Sequence, residues 1–142
     1  MFLLDTNVIS ELRKSKPHGA VQEWFQQTPQ ALQLIAAVSL AEIQNGIERS
    51  RRNDNIKADE IERWADEIMA QANILPMTAA IFRDWAKLMV GRSQTFANDA
   101  MIAATAIHHS LVVVTRNTAD FELFPVRSFN PFLGISYSGA AE

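Results

Sequence analysis

A run of four apolar residues at 111–114, Leu-Val-Val-Val, limits the folds open to this chain more than any other feature. Three of the four are β-branched, and such an unbroken run is typical of a strand in a parallel sheet that is covered on both faces. Parallel strands need long connections between them, usually helices. The rest of the chain should therefore alternate between strands and helices.

Other apolar segments predict the remaining strands. Residues 2–4 and 32–38 suit buried strands, although two alanines in the second run leave a helix as an alternative. Residues 73–77 suit an edge strand, because Pro76 cannot donate a ladder hydrogen bond. A last short strand is expected at 126–129.

Helical periodicity predicts the connections. Helices are expected from Thr6 past Leu12, at 20–27, from Ser39 past Ile47, at 53–71, at 78–92 and at 98–109. The inward residues of the two longest are expected to be Ile56, Ile61, Trp64, Ile68 and Met69, and Ile81, Phe82, Trp85, Leu88 and Met89. This alternation predicts a three-layer α/β/α sandwich around a central, mainly parallel sheet of four to five strands. Residues 1–135 are expected to form a single domain and 136–142 a flexible tail.

The overall composition limits the class of protein and its expected cellular location. A chain of 142 residues suits one core, and the absence of cysteine excludes disulfides and thiolate metal sites. The chain turns acidic at Asp5 after a few apolar residues, unlike a signal peptide, and no apolar run is long enough to span a membrane. A cytoplasmic protein is expected. The net charge of −3 counts against passive nucleic-acid binding, but less against a nuclease whose acids bind metal.

Four of the sixteen carboxylates do not follow the pattern of solvated helix faces. Asp5 ends the first predicted strand, Glu42 and Asp99 lie in the first turns of helices, and Asp120 follows the last long strand. In open parallel sheets the functional crevice lies beyond the carboxyl ends of the strands, where the following helices begin. All four acids are therefore expected at one rim.

A cluster of carboxylates needs a cation to compensate the repulsion between its charges. Two like charges about 4 Å apart repel by roughly 4 kcal/mol at an effective dielectric near 20, and a divalent ion reverses the sign of that energy. Oxygen ligands without His or Cys suit Mg²⁺, with Mn²⁺ as a substitute, and such ions can activate water for attack on a phosphodiester. Helix N-termini at Thr6, Ser39 and Asn98 would add positive dipole ends.

Each acid also has a purely structural explanation. Ser39 and Glu42 match a capping box, and Asn98 followed by Asp99 matches an ordinary helix start. Asp5 fits an Asx-type turn, and Asp120 fits a solvated loop. The combination favours a site, because capping does not require four acids to meet at one rim.

Five segments resemble the PIN domains, and among them the VapC-like toxins and the FitB-type subgroup. They are LDTNVIS at 4–10, SLAEIQNG at 39–46, NDAMIAATA at 98–106, VTRNTADF at 114–121 and the ending FNP at 129–131. The resemblance covers nearly the whole chain. It implies a Mg²⁺-dependent endoribonuclease toxin of a type II toxin–antitoxin pair, in which metal-activated water hydrolyses RNA.

The resemblance also implies roles for individual residues. Asp5 and Asp99 would contact the metal directly, and Glu42 would complete the metal site. Some relatives carry Asp where Asn117 stands, so the fourth catalytic role is assigned jointly to Asn117 and Asp120. The candidate substrate-binding residues are Thr6, Asn7, Thr115 and Arg116, although local backbone bonds are an alternative for both threonine hydroxyls. The segment Arg13, Lys14 and Lys16 is a candidate RNA contact, whereas Arg49, Arg51 and Arg52 are treated as helix-cap residues or, at most, peripheral RNA contacts.

The implied partners are an RNA substrate and a small cognate antitoxin that wraps the toxin. A homodimer or a toxin–antitoxin hetero-oligomer is also implied. The apolar groove for the antitoxin is expected on the first two helices and on the hairpin at 40–71. The alternatives are a catalytically degenerate PIN-fold binding module, a DNA nuclease, and a phosphate-accepting receiver, for which a lysine near a late strand end is missing.

Overall fold

A central sheet of five parallel strands organises the protein, whose structure, a computed structural model, describes residues 1–134. The strands are β1 Phe2–Leu4, β2 Gln33–Ala36, β3 Asn73–Leu75, β4 Val112–Val114 and β5 Ser128–Phe129. The helices in this range are α1 Thr6–Arg13, α2 Gly19–Gln27, α3 Ala37–Arg51, α4 Asn55–Gln71, α5 Ala79–Leu88, α6 Ala97–His108 and α7 Thr118–Phe121. Among residues 1–134, no helix combines the length and the apolarity that a membrane crossing demands. The predicted tail at 136–142 lies outside the described residues.

The strand order is β3-β2-β1-β4-β5, and every neighbouring pair is parallel. Leu4 at the end of β1 is in register with Ile35 of β2 and with Val114 of β4. The carboxyl ends of the three central strands therefore lie side by side. The predicted edge position of β3 is confirmed, and Pro76 stands just beyond its end.

Two hydrophobic cores lie on opposite faces of the sheet. Leu4, Val112 and Val114 pack in the first core with residues of α1 to α4. Leu3 and Val113 belong to the second core, with residues of α5, α6 and α7. Successive side chains of a strand point to opposite faces, so the apolar runs of β1 and β4 supply both cores. The predicted α/β/α sandwich is confirmed.

Helix starts differ from the prediction at two of the acids. α3 begins at Ala37, with Ala36 as its N-cap residue and no side-chain cap, so Ser39 lies inside the helix and the capping box is wrong. A 3-10 turn at Gln94–Phe96 leads into α6, which starts before Asn98, so Asn98 is not the N-cap residue. Capping therefore does not explain the positions of Glu42 and Asp99, and the functional explanation of these two acids remains.

The predicted inward faces of the long helices are too wide. Ile56 and Met69 are 76% and 63% exposed, and Phe82 is 44% exposed. The inward stripe of α4 instead consists of Ile61, Trp64 and Ile68, which pack against the first core. Residues one position away from such a stripe are rotated by about 100° around the helix axis, so Met69 leaves the core.

Candidate metal centre at the carboxyl ends of the strands

Asp5 is a nearly buried carboxylate between the end of β1 and the start of α1. It is 5% exposed and is the N-cap residue of α1. Its Oδ1 accepts a hydrogen bond from the backbone N–H of Thr6 at 2.7 Å. Its Oδ2 accepts from the Thr115 hydroxyl at 2.7 Å and from the Asn7 side-chain amide at 3.2 Å. Three donors from two elements thus hold the carboxylate in one orientation.

The surroundings of Asp5 disfavour its charge despite these donors. Burial is the main cause that raises its pKa above the usual value, and the nearby charge of Glu42 adds to the effect. The hydrogen bonds from Thr115, Thr6 and Asn7 act in the opposite direction. A bound cation would offset the remaining cost of ionisation.

Glu42 is connected to the same place through Thr6. The Thr6 hydroxyl donates to Oε1 of Glu42 at 2.7 Å, across 36 residues of sequence. Thr6 therefore serves two acids, since its N–H donates to Asp5 and its hydroxyl to Glu42. Its hydroxyl does not bond the local backbone, which was the structural alternative.

Asp99 lies in the first turn of α6. The charges of the other three acids act on its carboxyl group. Burial and then the charges of Asp5, Asp120 and Glu42 raise its pKa to about 6. Asp5 at the start of α1, Glu42 of α3 and Asp120 of α7 all contribute to this raised pKa, which supports the expected convergence of the four acids.

The donor set fits a hydrated hard cation. Among residues 1–134, no three His, Cys, Asp or Glu side chains stand close enough together to enclose an ion on their own. Zn²⁺ sites usually have three or four protein ligands, whereas Mg²⁺ commonly keeps several waters and uses one or two carboxylates. Oxygen ligands of this kind would suit Mg²⁺ or Mn²⁺ better than Zn²⁺, and Asp5 and Asp99 are the residues that would hold such an ion.

Residues 2–125 of the chain match the family model of the PIN domain, which includes the four acids of the site. The chain belongs to the PIN-domain family. Two relatives match almost end to end. Toxin FitB of Neisseria gonorrhoeae is 34% identical over 140 residues, covering 93% of this chain and 99% of FitB. VapC ribonuclease Y4jK of Sinorhizobium fredii is 32% identical over 139 residues, covering 93% of this chain and 98% of the relative.

Solved structures agree with this placement of the PIN domain. The crystal structure of FitAcB from Neisseria gonorrhoeae superimposes with a TM-score of 0.78 at 33% identity. The match covers 93% of this chain and 99% of the other. Both the fold and the order of its elements are thus those of a PIN domain from residue 2 onward.

The two candidates for the fourth acidic role of the PIN domain lie in different surroundings. Asn117 is exposed, its backbone N–H donates to the Thr115 hydroxyl oxygen at 3.0 Å, and its side chain does not cap α7. Asp120 is half-buried in α7, and its charge contributes to the raised pKa of Asp99. Asp120 thus adds a charge that acts on Asp99 and Asn117 adds none, while the joint assignment of the fourth role to both residues stays a prediction.

Asn7 and Arg116 form the rim next to Asp5. Asn7 accepts the backbone N–H of Arg116 at 3.2 Å, which ties the loop after β4 to α1. The Arg116 guanidinium carbon lies 3.8 Å from the ring centroid of Phe132, and the Asn130 amide donates to the Arg116 carbonyl at 3.3 Å. Sequence reasoning noted the FNP ending but assigned no role to Asn130 or Phe132. Their contacts with Arg116 depend on the fold, so no local pattern could reveal them.

The basic loop after α1 is only partly available for RNA. Lys14 forms an ion pair of 2.9 Å with the nearly buried Glu11, which also accepts the backbone N–H of His18. Arg13 lies over the Trp64 ring at 5.8 Å. Glu11 was not singled out from the sequence, and its position shows that Lys14 helps to hold the loop.

Proposed function

We propose that this PIN domain is a Mg²⁺-dependent endoribonuclease and acts as the toxin of a toxin–antitoxin pair. The observation that carries the proposal is that Thr6 bonds both Asp5, at the end of β1, and Glu42 of α3, which brings two of the four acids together at the strand ends. The charges that raise the pKa of Asp99 support the proximity of the other two acids. The names of two relatives, a toxin and a VapC ribonuclease, support the same activity. A parallel sheet with acids at this edge is also a usual place for a phosphate-handling site.

Asp5 and Asp99 would hold the ion, and Glu42 would bind its water shell. When bound, a divalent ion lowers the pKa of a water and stabilises the leaving oxygen of a phosphodiester. Thr6 fixes the orientation of Glu42 through Oε1, which leaves Oε2 for a water molecule. Thr115 and Asn7 keep Asp5 pointing into the site. The residues of the chain thus supply orientation before the substrate arrives, which lowers the cost of reaching the transition state.

Arg116 would bind the RNA backbone at the rim. It is exposed, and its stacking on Phe132 limits the rotation of its side chain. A guanidinium held in this way loses less entropy when it contacts a phosphate oxygen. Asn7 fixes the backbone of the same loop, so a phosphate near Asp5 would meet a preformed contact.

Cleavage assays with purified, antitoxin-free protein test this function. RNA should be cut with Mg²⁺ or Mn²⁺, the cleavage should stop with chelator, and Asp99→Asn should be inactive. Asp66→Asn, which changes an exposed acid of α4 by the same amount, is the matched control. Activity that survives both chelation and Asp99→Asn would contradict the metal mechanism.

Two further assays separate the alternatives. A folded protein that binds no Mg²⁺ or Mn²⁺ at millimolar concentration in calorimetry would be a degenerate PIN-fold module. RNA and DNA of matched sequence, assayed side by side, separate the ribonuclease from a DNA nuclease.

The partner is proposed to be an antitoxin segment that covers an apolar groove between α1, α2 and α4. The groove has a volume of about 250 Å³, and its lining includes Leu12, Phe25, Trp64 and Ile68. Its helical lining comes from α1, α2 and α4, which overlaps the helices on which the groove was expected, whereas α3 contributes no lining residue. Exposed apolar surface of this kind commonly marks a protein interface.

Co-purification tests the groove. Phe25, 38% exposed, lines it, whereas Phe82, 44% exposed, lies on α5 against the other face of the sheet. Phe25→Asp should weaken binding of the antitoxin encoded beside this chain and leave RNA cleavage intact, while Phe82→Asp should change neither. Equal binding by both variants would place the partner elsewhere.

A further inference from the structure

A polar cleft of about 440 Å³ lies along α3. Its lining residues are Glu42, Asn45, Glu48, Arg49, Arg52 and Asn98. Glu42 is shared by this cleft and the candidate metal centre, and Asn98 is the neighbour in sequence of Asp99 in the first turn of α6. The arginines at the end of α3, expected from the sequence to be peripheral, therefore share a cleft with a site acid.

The spacing along α3 explains how this cleft arises. Glu42, Asn45, Arg49 and Arg52 follow one another at intervals of three, four and three residues, which places them on one stripe of a helix. At about 1.5 Å per residue, Arg49 and Arg52 lie about 10 and 15 Å from Glu42 along the helix axis. Helical side chains tilt toward the N-terminus, so both arginines lean toward the acidic site.

The charges in the cleft differ in how they are compensated. Arg51 is bound by Glu48, Asp59 and Glu62, and its side chain is not part of the lining. The two carboxylate oxygens of Glu48 accept from Arg51 and from Gln44. Arg49 and Arg52 are exposed and form no ion pair among residues 1–134. The two guanidinium groups that line the cleft are therefore available to an anionic ligand.

Helix polarity alone does not account for this arrangement. Arginines in a last helical turn interact favourably with the helix dipole, and that effect explains their presence at the end of α3. It does not require both to face the cleft that holds Glu42, nor does it require Asn45 and Asn98 to line the space between them. A cleft that adds two unpaired guanidinium groups to a site acid can bind a polyanion whose scissile group lies at that acid.

We propose that this cleft binds the phosphodiester backbone of the single-stranded RNA segment flanking the scissile phosphate, with Arg49 and Arg52 contacting successive phosphates. The inference rests on the proposed ribonuclease function and adds a substrate path to it. Guanidinium groups bind phosphate oxygens in a bidentate manner, while Asn45 and Asn98 offer amide hydrogen bonds to sugar or phosphate oxygens. Backbone contacts of this kind position a strand without reading its sequence.

The test is RNA binding by a cleavage-deficient protein. Fluorescence anisotropy with a labelled single-stranded oligoribonucleotide would be measured in the Asp99→Asn background over a range of salt concentrations. Arg49→Gln with Arg52→Gln should weaken binding about tenfold at low salt, because hydrogen bonds to charged groups are strong. The slope of log K against log salt should fall by about 1.4, since each phosphate contact on a single strand contributes about 0.7.

Two matched variants complete the design. Arg83→Gln removes one guanidinium group from an exposed position of α5 outside the cleft, and it should leave both affinity and slope unchanged. Arg49→Lys with Arg52→Lys should restore the slope, because the slope depends on the number of positive charges that contact phosphates. It should restore the affinity only in part, since lysine lacks the bidentate geometry of arginine. Thermal melts of each variant verify folding.

The outcomes separate this inference from the function on which it rests. If the unsubstituted protein cleaves RNA but the Gln pair binds RNA as well as Arg83→Gln does, the cleft is not the substrate path and the ribonuclease proposal stands. That result would also be expected if the arginines served an acidic protein partner instead. If the unsubstituted protein neither cleaves nor binds RNA, both proposals are overturned.

Discussion

The hydroxyl of Thr115 donates a hydrogen bond to Oδ2 of Asp5 at 2.7 Å and joins two residues that are 110 positions apart in the sequence. The Thr115 hydroxyl oxygen also accepts a hydrogen bond from the backbone N–H of Asn117 at 3.0 Å. Thr115 is fully buried at the end of β4, beside the end of β1. One hydroxyl group therefore couples the orientation of Asp5, a proposed metal ligand, to the loop that carries Arg116.

Thr115→Val tests this coupling. Valine has nearly the same shape, but it removes a donor to Asp5 and an acceptor for Asn117, so we expect the free energy of unfolding to fall by about 2 kcal/mol. The pKa of Asp5 should rise further, because the largest of the opposing hydrogen bonds is lost. Urea denaturation measures the stability, and calorimetry should show weaker Mg²⁺ binding at pH 7. Thr115→Ser keeps the hydroxyl and should lose much less; equal losses in both variants would count against the hydrogen bond.

Asp99→Asn should stabilise the metal-free protein at neutral pH. The pKa of Asp99 rises from its ordinary 3.8 to about 6, so the folded state holds the proton more tightly than the unfolded state. Its contribution to stability is therefore fully present below pH 4 and is lost as the pH rises through about 6. About two pKa units correspond to roughly 3 kcal/mol, which partial exposure reduces to about 1–2 kcal/mol.

The measurement is urea denaturation in chelator at pH 4 and at pH 7.5. The variant should gain stability over the unsubstituted protein at pH 7.5 and show little difference at pH 4. Saturating Mg²⁺ at pH 7.5 should remove the advantage of the variant, since the ion stabilises the unsubstituted protein that binds it and not Asp99→Asn. A difference that does not change with pH would show that Asp99 is not strained by its neighbours.

The sequence was sufficient for the sheet, which depends on local signals, and it supplied a prediction for the set of acids. An apolar run such as Val112–Val114 predicts a buried parallel strand, and acids directly after such runs are placed at one rim by the rules of parallel sheets. The contact between Thr6 and Glu42 could not be predicted, since it depends on the relative placement of α1 and α3. The cleft at Arg49 likewise needs the packing of α3 against α6.

Asp120→Asn should affect Asp99 far more than Asn117→Ala does. The charge of Asp120 contributes to the raised pKa of Asp99, so its removal should lower that pKa toward the ordinary value. Asn117 is exposed and adds no charge, so replacing its side chain should leave the pKa of Asp99 unchanged. NMR titration of the carboxyl carbons in metal-free protein measures both shifts, and cleavage rates show which residue serves the reaction. A larger effect from Asn117→Ala on both measurements would restore the amide as the fourth member of the site.

Ser39→Ala should leave the protein as stable as before or stabilise it by about 1 kcal/mol. The Ser39 hydroxyl is fully buried inside α3 and has no hydrogen-bond partner among residues 1–134, and alanine removes that unsatisfied group. The capping box suggested by the sequence predicts the opposite sign, a loss of about 1 kcal/mol. Thr78→Ala is the control, since the Thr78 hydroxyl accepts the backbone N–H of Ile81 at 3.2 Å and caps α5, and it should cost about 1 kcal/mol. Thermal and urea denaturation of both variants give the two signs; a loss at Ser39 equal to the loss at Thr78 would mean that Ser39 makes a capping bond after all.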